Sequence, residues 1–158
     1  MKLKWKRLEN QTGHEAGREL LAQLYAEEIG EPMPPILVTE QGKPYFAQGD
    51  WHFSISHTDT HAFCAISRQK IGIDAESMER VVDPRLGSRF LSEAEAQRLE
   101  RAADKQTALL RFWVLKEAFA KLTGRGIGNW LKNTDFDYND ARITCVDGCF
   151  VAILEEEK

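Results

Sequence analysis

The chain has 158 residues, of which 42% are hydrophobic and 29% charged, a composition that fits one soluble globular unit. Its 21 Lys and Arg against 25 Asp and Glu leave a formal charge of −4, so no global field draws it to nucleic acid or an anionic membrane. No apolar run nears the roughly 18–20 residues of a membrane helix, and no apolar stretch follows the basic start Met1–Leu8, which argues against a signal peptide.

In chain order, residues 14–29 predict a helix with Leu20, Leu21, Leu24 and Tyr25 on one face. Gly30 ends it, and Pro32, Pro34 and Pro35 block its resumption. Residues 36–38 predict a short strand and residues 41–44 a turn. Strands follow at 52–56, 62–66 and 71–76, the first with Phe53 and Ile55 on one face and Ser54 and Ser56 on the other. Ser92 and Glu95 have the form of a capping box opening a helix to about residue 103. Residues 106–123 predict the strongest helix, with Ala108, Phe112, Leu115, Phe119 and Leu122 as its core stripe and Gly124 as its C-cap. Strands are predicted again at 134–138, 142–146 and 149–154, the last two joined by an Asp147-Gly148 turn. Three cysteines, Cys64, Cys145 and Cys149, form no CxxC pair and suit a reduced, cytoplasmic protein.

The residues that carry chemistry fall in three places. On the strand at 71–76, Ile71 and Ile73 take one face, and Gly72, Asp74 and Glu76 the other. The two carboxylates could converge on one hard cation, and Gly72 would let a ligand reach the backbone. Taken alone they read as the solvent face of an edge strand. On the long helix, Glu117 and Lys121 are i and i+4 on a face away from the core stripe. Any one such pair is by default an ordinary surface pair, but beside Asp74 and Glu76 it would complete a Mg²⁺ site for phosphate chemistry. At the end of the 52–56 strand, Ser56 and His57 could hold an anion. Neighbours on a strand point apart, which argues against a Ser56–His57 catalytic couple. Lys43 sits on a rigid turn and Arg18 on the first helix.

Gly42-Lys-Pro-Tyr45, Phe53-Ser-Ile-Ser-His57, Gly72-Ile-Asp-Ala-Glu76, Arg89-Phe-Leu-Ser-Glu-Ala-Glu95 and Trp113-Val-Leu-Lys-Glu-Ala-Phe-Ala-Lys121 occur in this order. Together they resemble the 4′-phosphopantetheinyl transferase superfamily, over about residues 14–126. The Ser-His motif precedes the Gly-Ile-Asp motif, as in the surfactin-synthetase type. That resemblance implies an α+β fold of two pseudo-symmetric α/β halves, each an antiparallel three-stranded sheet with packed helices. Residues 1–67 would form an abbreviated N-terminal half and residues 68–158 the C-terminal half with the metal-site motifs.

It also implies an activity: transfer of the 4′-phosphopantetheine arm of coenzyme A to a serine of an apo-carrier protein, Mg²⁺-dependent, releasing 3′,5′-ADP. Asp74, Glu76 and Glu117 would hold Mg²⁺, and Lys121 would contact the phosphates. Lys43, Ser56, His57 and Arg18 would bind the nucleotide end, and Glu117 or a metal-bound water would take the serine proton. Arg85, Arg89, Arg98 and Arg101 are candidates for steering an acidic carrier. Relative to larger members, about two dozen residues before the first helix are missing, and Lys2, Lys4, Lys6 and Arg7 are the cations available to replace theirs. Trp113 reads as core. The implied partners are a carrier protein and coenzyme A, with no nucleic acid and no membrane, in a monomer or small homo-oligomer. Chemistry alone leaves two other readings: a metal-dependent nuclease or phosphohydrolase, and a non-catalytic module that binds a carrier or nucleotide.

Overall fold

The structure is a computed structural model that describes residues 1–158. Strands β1 (Lys2–Arg7), β4 (His52–His57) and β5 (His61–Ser67) form one antiparallel sheet in the order β1-β5-β4. Strands β6 (Ile71–Ser77), β7 (Ile143–Val146) and β8 (Cys149–Glu155) form a second, in the order β6-β8-β7. A short hairpin of β2 (Ile36–Val38) and β3 (Pro44–Phe46) stands apart. Both sheets follow one plan: a strand, a helix, then two strands, with the last strand in the middle. Helix α1 (Gly13–Glu28) follows β1. After β6 come α2 (Gly87–Phe90), α3 (Glu93–Arg101) and the long α4 (Lys105–Thr123). The fold is thus the α+β arrangement that the motifs imply. No helix is long and apolar enough to cross a membrane.

Local signals account for most boundaries. Thr12 and Glu15 close a capping box on α1, as Ser92 and Glu95 do on α3. Gly124 ends α4 in the left-handed region, at φ 72°. Asp147 and Gly148 both take positive φ, the geometry of a two-residue hairpin turn.

Three features depart from the sequence reading. Residues 2–7 are a strand, and residues 44–46 a short one. In β1 the alternation Lys-Leu-Lys-Trp-Lys puts its lysines over α1, where Lys2, Lys4 and Lys6 pair with Glu28, Glu27 and Glu19. Arg7 meets Asp147 with two nitrogens, at 2.7 and 3.0 Å. These four cations therefore each face a carboxylate of this chain. Residues 134–138, expected as a strand, form none. Side chains satisfy that backbone in place of a ladder: Lys116 Nζ donates to Thr134 O at 2.7 Å, Glu95 accepts from Phe136 N–H at 2.8 Å, and Arg98 donates to Phe136 O at 2.8 Å.

Three apolar clusters hold the layers. Leu20, Leu21 and Leu24 of α1 pack on Phe53, Cys64 and Ile66. Phe112, Leu115 and Ala118 of α4 pack on Phe150 and Leu154. Between the sheets lie Phe63 and Ala65 from one side and Ile71, Ile73 and Val151 from the other. Fully burying each large side chain contributes about 1.5–3 kcal/mol. All seven residues of β5 are buried, since layers cover both its faces.

The seam between the sheets positions the site. Edge strands β4 and β6 lie side by side, and the free edge of β6, buried in this seam, is satisfied by hydroxyls. Ser54 Oγ accepts from Ile73 N–H at 3.1 Å, and Ser56 Oγ from Ala75 N–H at 3.0 Å. At the far end of the seam His61 Nε2 lies 2.7 Å from Asp147 Oδ2.

Candidate active site

Helix α4 crosses β6 at close range because of Gly72. A Cβ there would stand 2.0 Å from Ala118 O and 2.5 Å from Leu122 N, so only glycine admits the helix. This corrects the expectation that Gly72 leaves room for a ligand: helix backbone fills that space. Four residues along a helix advance about 6 Å, and two along a strand about 6.6–6.8 Å. Trp113 and Glu117 of α4 therefore keep step with Glu76 and Asp74 of β6.

Lys121 is the hub. Its ammonium donates to Ile73 O at 2.9 Å, Asp74 Oδ1 at 3.1 Å and Ile55 O at 3.4 Å, spanning the seam. Asp74 is 5% exposed. Its Oδ1 also accepts from Ser56 Oγ at 3.3 Å, while its Oδ2 is buried with no hydrogen-bond partner. Burial raises the Asp74 carboxyl to about 6, against the pull of Lys121. Glu117 is raised to about 7, first by burial and then by the negative charge of Asp74. The pair at i and i+4 on α4 is thus no surface pair, because Lys121 turns to Asp74.

Glu76 shares this neighbourhood but is held by other partners. Arg80 forms an ion pair with its carboxylate, and Trp113 Nε1–H donates to the same oxygen at 3.3 Å. As the side chains stand, no three His, Cys, Asp or Glu residues are gathered as a metal cluster. A divalent cation nevertheless fits the donors. Asp74 Oδ2 is an orphaned buried acceptor, and the negative charge of Asp74 that raises Glu117 is relieved by positive charge.

A cleft of about 300 Å³ opens beside this group, lined by Lys43, Phe53, Glu117, Lys121, Gly126 and Ile127 among others. Lys43 reaches across it to the C-terminal carbonyls of α4, Lys121 O and, at 3.3 Å, Leu122 O. Burial lowers its pKa, and Lys70 adds to the effect. His57 does not share this cleft. It lines a second one with Thr58, Glu76 and Arg80, and its ring fills the space that a Cβ on Gly13 would need. Ser56 is 5% exposed and braces Asp74 and Ala75. Arg18 lines neither cleft; it lies half-buried on α1, where its charge opposes the burial that raises the Cys64 thiol to about 12. Of the arginines considered for carrier steering, Arg85 is held by Asp83 and Arg98 by Phe136 O, while Arg89 and Arg101 are exposed.

The model of the 4′-phosphopantetheinyl transferase superfamily matches residues 70–148, the stretch that carries Asp74, Glu76, Glu117 and Lys121. The chain belongs to that superfamily. Its curated relatives include the transferase psf-1 of Bacillus pumilus, 34% identical over 122 residues, covering 74% of this chain and 52% of the relative. The transferase gsp of Aneurinibacillus migulanus is 36% identical over 90 residues, covering 56% of this chain and 37% of the relative. The transferase AcpT of Salmonella typhi is 35% identical over 122 residues, covering 69% and 57%. The chain spans about half the length of the curated relatives it matches.

The motifs point to Asp74, Glu117 and Lys121, which the fold does bring together. They do not point to Ser54, Arg80 or the hydrogen bond from Trp113. Ser54 shares the face of Ser56, a signal available in the alternation. Arg80 has none, because a spacing of four outside a helix implies no contact.

Proposed function

We propose that this chain transfers the 4′-phosphopantetheine group of coenzyme A to a serine hydroxyl of an apo-carrier protein. One observation carries the reading: Asp74, with an orphaned buried oxygen, pairs with Lys121 and its charge acts on Glu117, and both Lys121 and Glu117 line a cleft. Family membership supports it. The superfamily model matches the stretch that holds these residues, and relatives named as 4′-phosphopantetheinyl transferases are 34–36% identical to the chain over their matched lengths.

Asp74 and Glu117, with Glu76 once it leaves Arg80, would hold Mg²⁺, which when bound supplies charge neutralisation on the pyrophosphate. Lys121 is fixed by three acceptors, so its charge is positioned before substrate arrives and stabilises negative charge growing on the leaving phosphate. Lys43, on the same cleft, adds a second cation toward the nucleotide. Glu117 lines that cleft, where its carboxylate is placed as a general base for an incoming hydroxyl. It accepts the proton of the carrier serine as the serine oxygen bonds to phosphorus and the bond to 3′,5′-ADP breaks. Positioning and charge carry most of the rate. Ser56 acts through Asp74, holding its carboxylate toward Lys121.

The test is to incubate the protein with coenzyme A, Mg²⁺ and several apo-carrier proteins and to weigh the carriers by mass spectrometry. A gain of one phosphopantetheine, lost in Asp74→Ala and Glu117→Ala chains that remain folded, is expected. No gain on any carrier, with nucleic acid cleaved instead, sinks the reading.

A further inference from the structure

Arg80 lies outside every motif, yet it occupies the most consequential position left at the site. Directly after β6 the chain folds back in a turn, with Arg80 N–H donating to Ser77 O at 3.0 Å and Glu79 N–H to Ser77 Oγ at 3.3 Å. The turn returns the Arg80 guanidinium to the carboxylate of Glu76, four residues earlier. There the guanidinium also stands over the Trp113 ring, 5.6 Å from its centroid, while Trp113 Nε1–H donates to the Glu76 oxygen that Arg80 pairs with.

The two cations that pair with these carboxylates are held differently. Lys121 is anchored on three acceptors and its side chain is 31% exposed. Arg80 has one ion-pair partner, with the charges of Asp74 and Glu117 close by; its side chain is 45% exposed, and it opens onto the second cleft. Charge balance separates them further. With all three carboxylates ionised, as cation ligands are, Asp74, Glu76 and Glu117 against Lys121 give −3 + 1 = −2. One divalent cation matches that charge; Arg80 supplies only half of it. Glu76, the carboxylate that Arg80 claims, shares no hydrogen bond or common cation with the other two, since Arg80 and Trp113 hold it.

We propose that Arg80 is a displaceable counter-ion, which holds Glu76 off the site in the cation-free protein and releases it when a divalent cation binds. The Trp113 face keeps the released guanidinium close by. This inference rests on the reading of Asp74, Glu76 and Glu117 as cation ligands. Arg80 then competes with the cation for Glu76 and repels it, so it sets the affinity without being a ligand.

The test is a Mn²⁺ titration of the full chain, following free Mn²⁺ by electron paramagnetic resonance. Arg80→Gln is expected to tighten Mn²⁺ binding about three- to tenfold, the scale of a half-exposed ion pair plus relief of repulsion. Arg85→Gln removes an equal charge from a pair with Asp83 and is expected to change nothing. In a Glu76→Gln background, Arg80→Gln is expected to lose most of its effect. Unchanged or weaker binding in Arg80→Gln, with binding still abolished by Asp74→Asn, overturns this proposal and leaves the cation site intact. No Mn²⁺ binding by any chain at millimolar concentration overturns the cation site and this proposal with it.

Discussion

Two lysines of α4, five residues apart, each meet an acid, and the two pairs are built to opposite ends. Lys116 and Glu95 are 1% and 0% exposed at the side chain and 2.6 Å apart. Every polar atom of that pair is used. Lys116 donates to Leu131 O, Thr134 O and Thr134 Oγ1, and Glu95 accepts from the backbone N–H groups of Ser92 and Phe136. Lys121 and Asp74, 3.1 Å apart, leave Asp74 Oδ2 orphaned and Glu117 pressed against a like charge. A fully satisfied buried pair specifies a fold, and here it pins residues 131–136 to α3 and α4. A pair left unsatisfied at the wall of a cleft is one that something else completes.

The largest effect is expected at the satisfied pair. Lys116→Met strands the Glu95 carboxylate in the core, and breaking a buried pair from one side costs about 3–5 kcal/mol. Urea unfolding would measure it. Lys121→Met is expected to cost about 1 kcal/mol or less, because Asp74, already raised to about 6, takes a proton instead of keeping an unpaired charge. Transfer to a carrier is expected to fall roughly 10²- to 10³-fold in that variant, the scale of losing one preorganised charge-stabilising group. Equal destabilisation by the two substitutions would erase the distinction drawn between the pairs.

A smaller effect separates two serines on one strand. Ser54→Ala and Ser56→Ala each strand a buried N–H, of Ile73 and Ala75, at about 1–3 kcal/mol. Only Ser56 also donates to Asp74. Similar losses of thermal stability are therefore expected, with transfer reduced in Ser56→Ala alone. Matched losses of activity would show that the seam, rather than the brace on Asp74, is what counts.

The legible part of this site was whatever follows from period and order. Alternation along β6 puts Asp74 and Glu76 on one face, and the 3.6-residue period puts Glu117 and Lys121 on another. What the sequence does not carry is how two such faces meet, since that depends on Gly72 admitting α4 to within contact of β6. The strand at residues 2–7 was equally open to reading, for Lys-Leu-Lys-Trp-Lys alternates, but its basic character masked the pattern. Residues 134–138 misled in the other direction. Asp-Phe-Asp-Tyr alternates as a strand does, yet Glu95, Arg98 and Lys116 take the backbone groups a ladder would use. Lys116 itself sits inside a motif and still gave no sign of burial, because nothing local announces a partner 21 residues earlier.

The smallest effect expected is the sharpest in sign. Glu117 is held near 7 in the folded chain against an ordinary 4.5. A carboxyl whose folded-state pKa is raised binds its proton more tightly folded than unfolded, so folding is favoured at low pH. That advantage is lost as pH rises from about 4.5 through 7, and above it the ionised group opposes folding. Glu117→Gln removes the titration. In chelator, with no divalent cation present, the variant is expected to match wild type at pH 4.5 and to exceed it at pH 8 by on the order of 1 kcal/mol, read as a higher melting temperature. Glu95→Gln, the same change of side chain at the other pair, is expected to lose stability at pH 8, since it takes the counter-charge from a buried Lys116. Opposite signs from one substitution at two glutamates that contact the same helix would separate a carboxylate the fold needs from one it tolerates. A loss of stability in both would mean that Glu117 has a partner in solution and is not held in reserve for a cation.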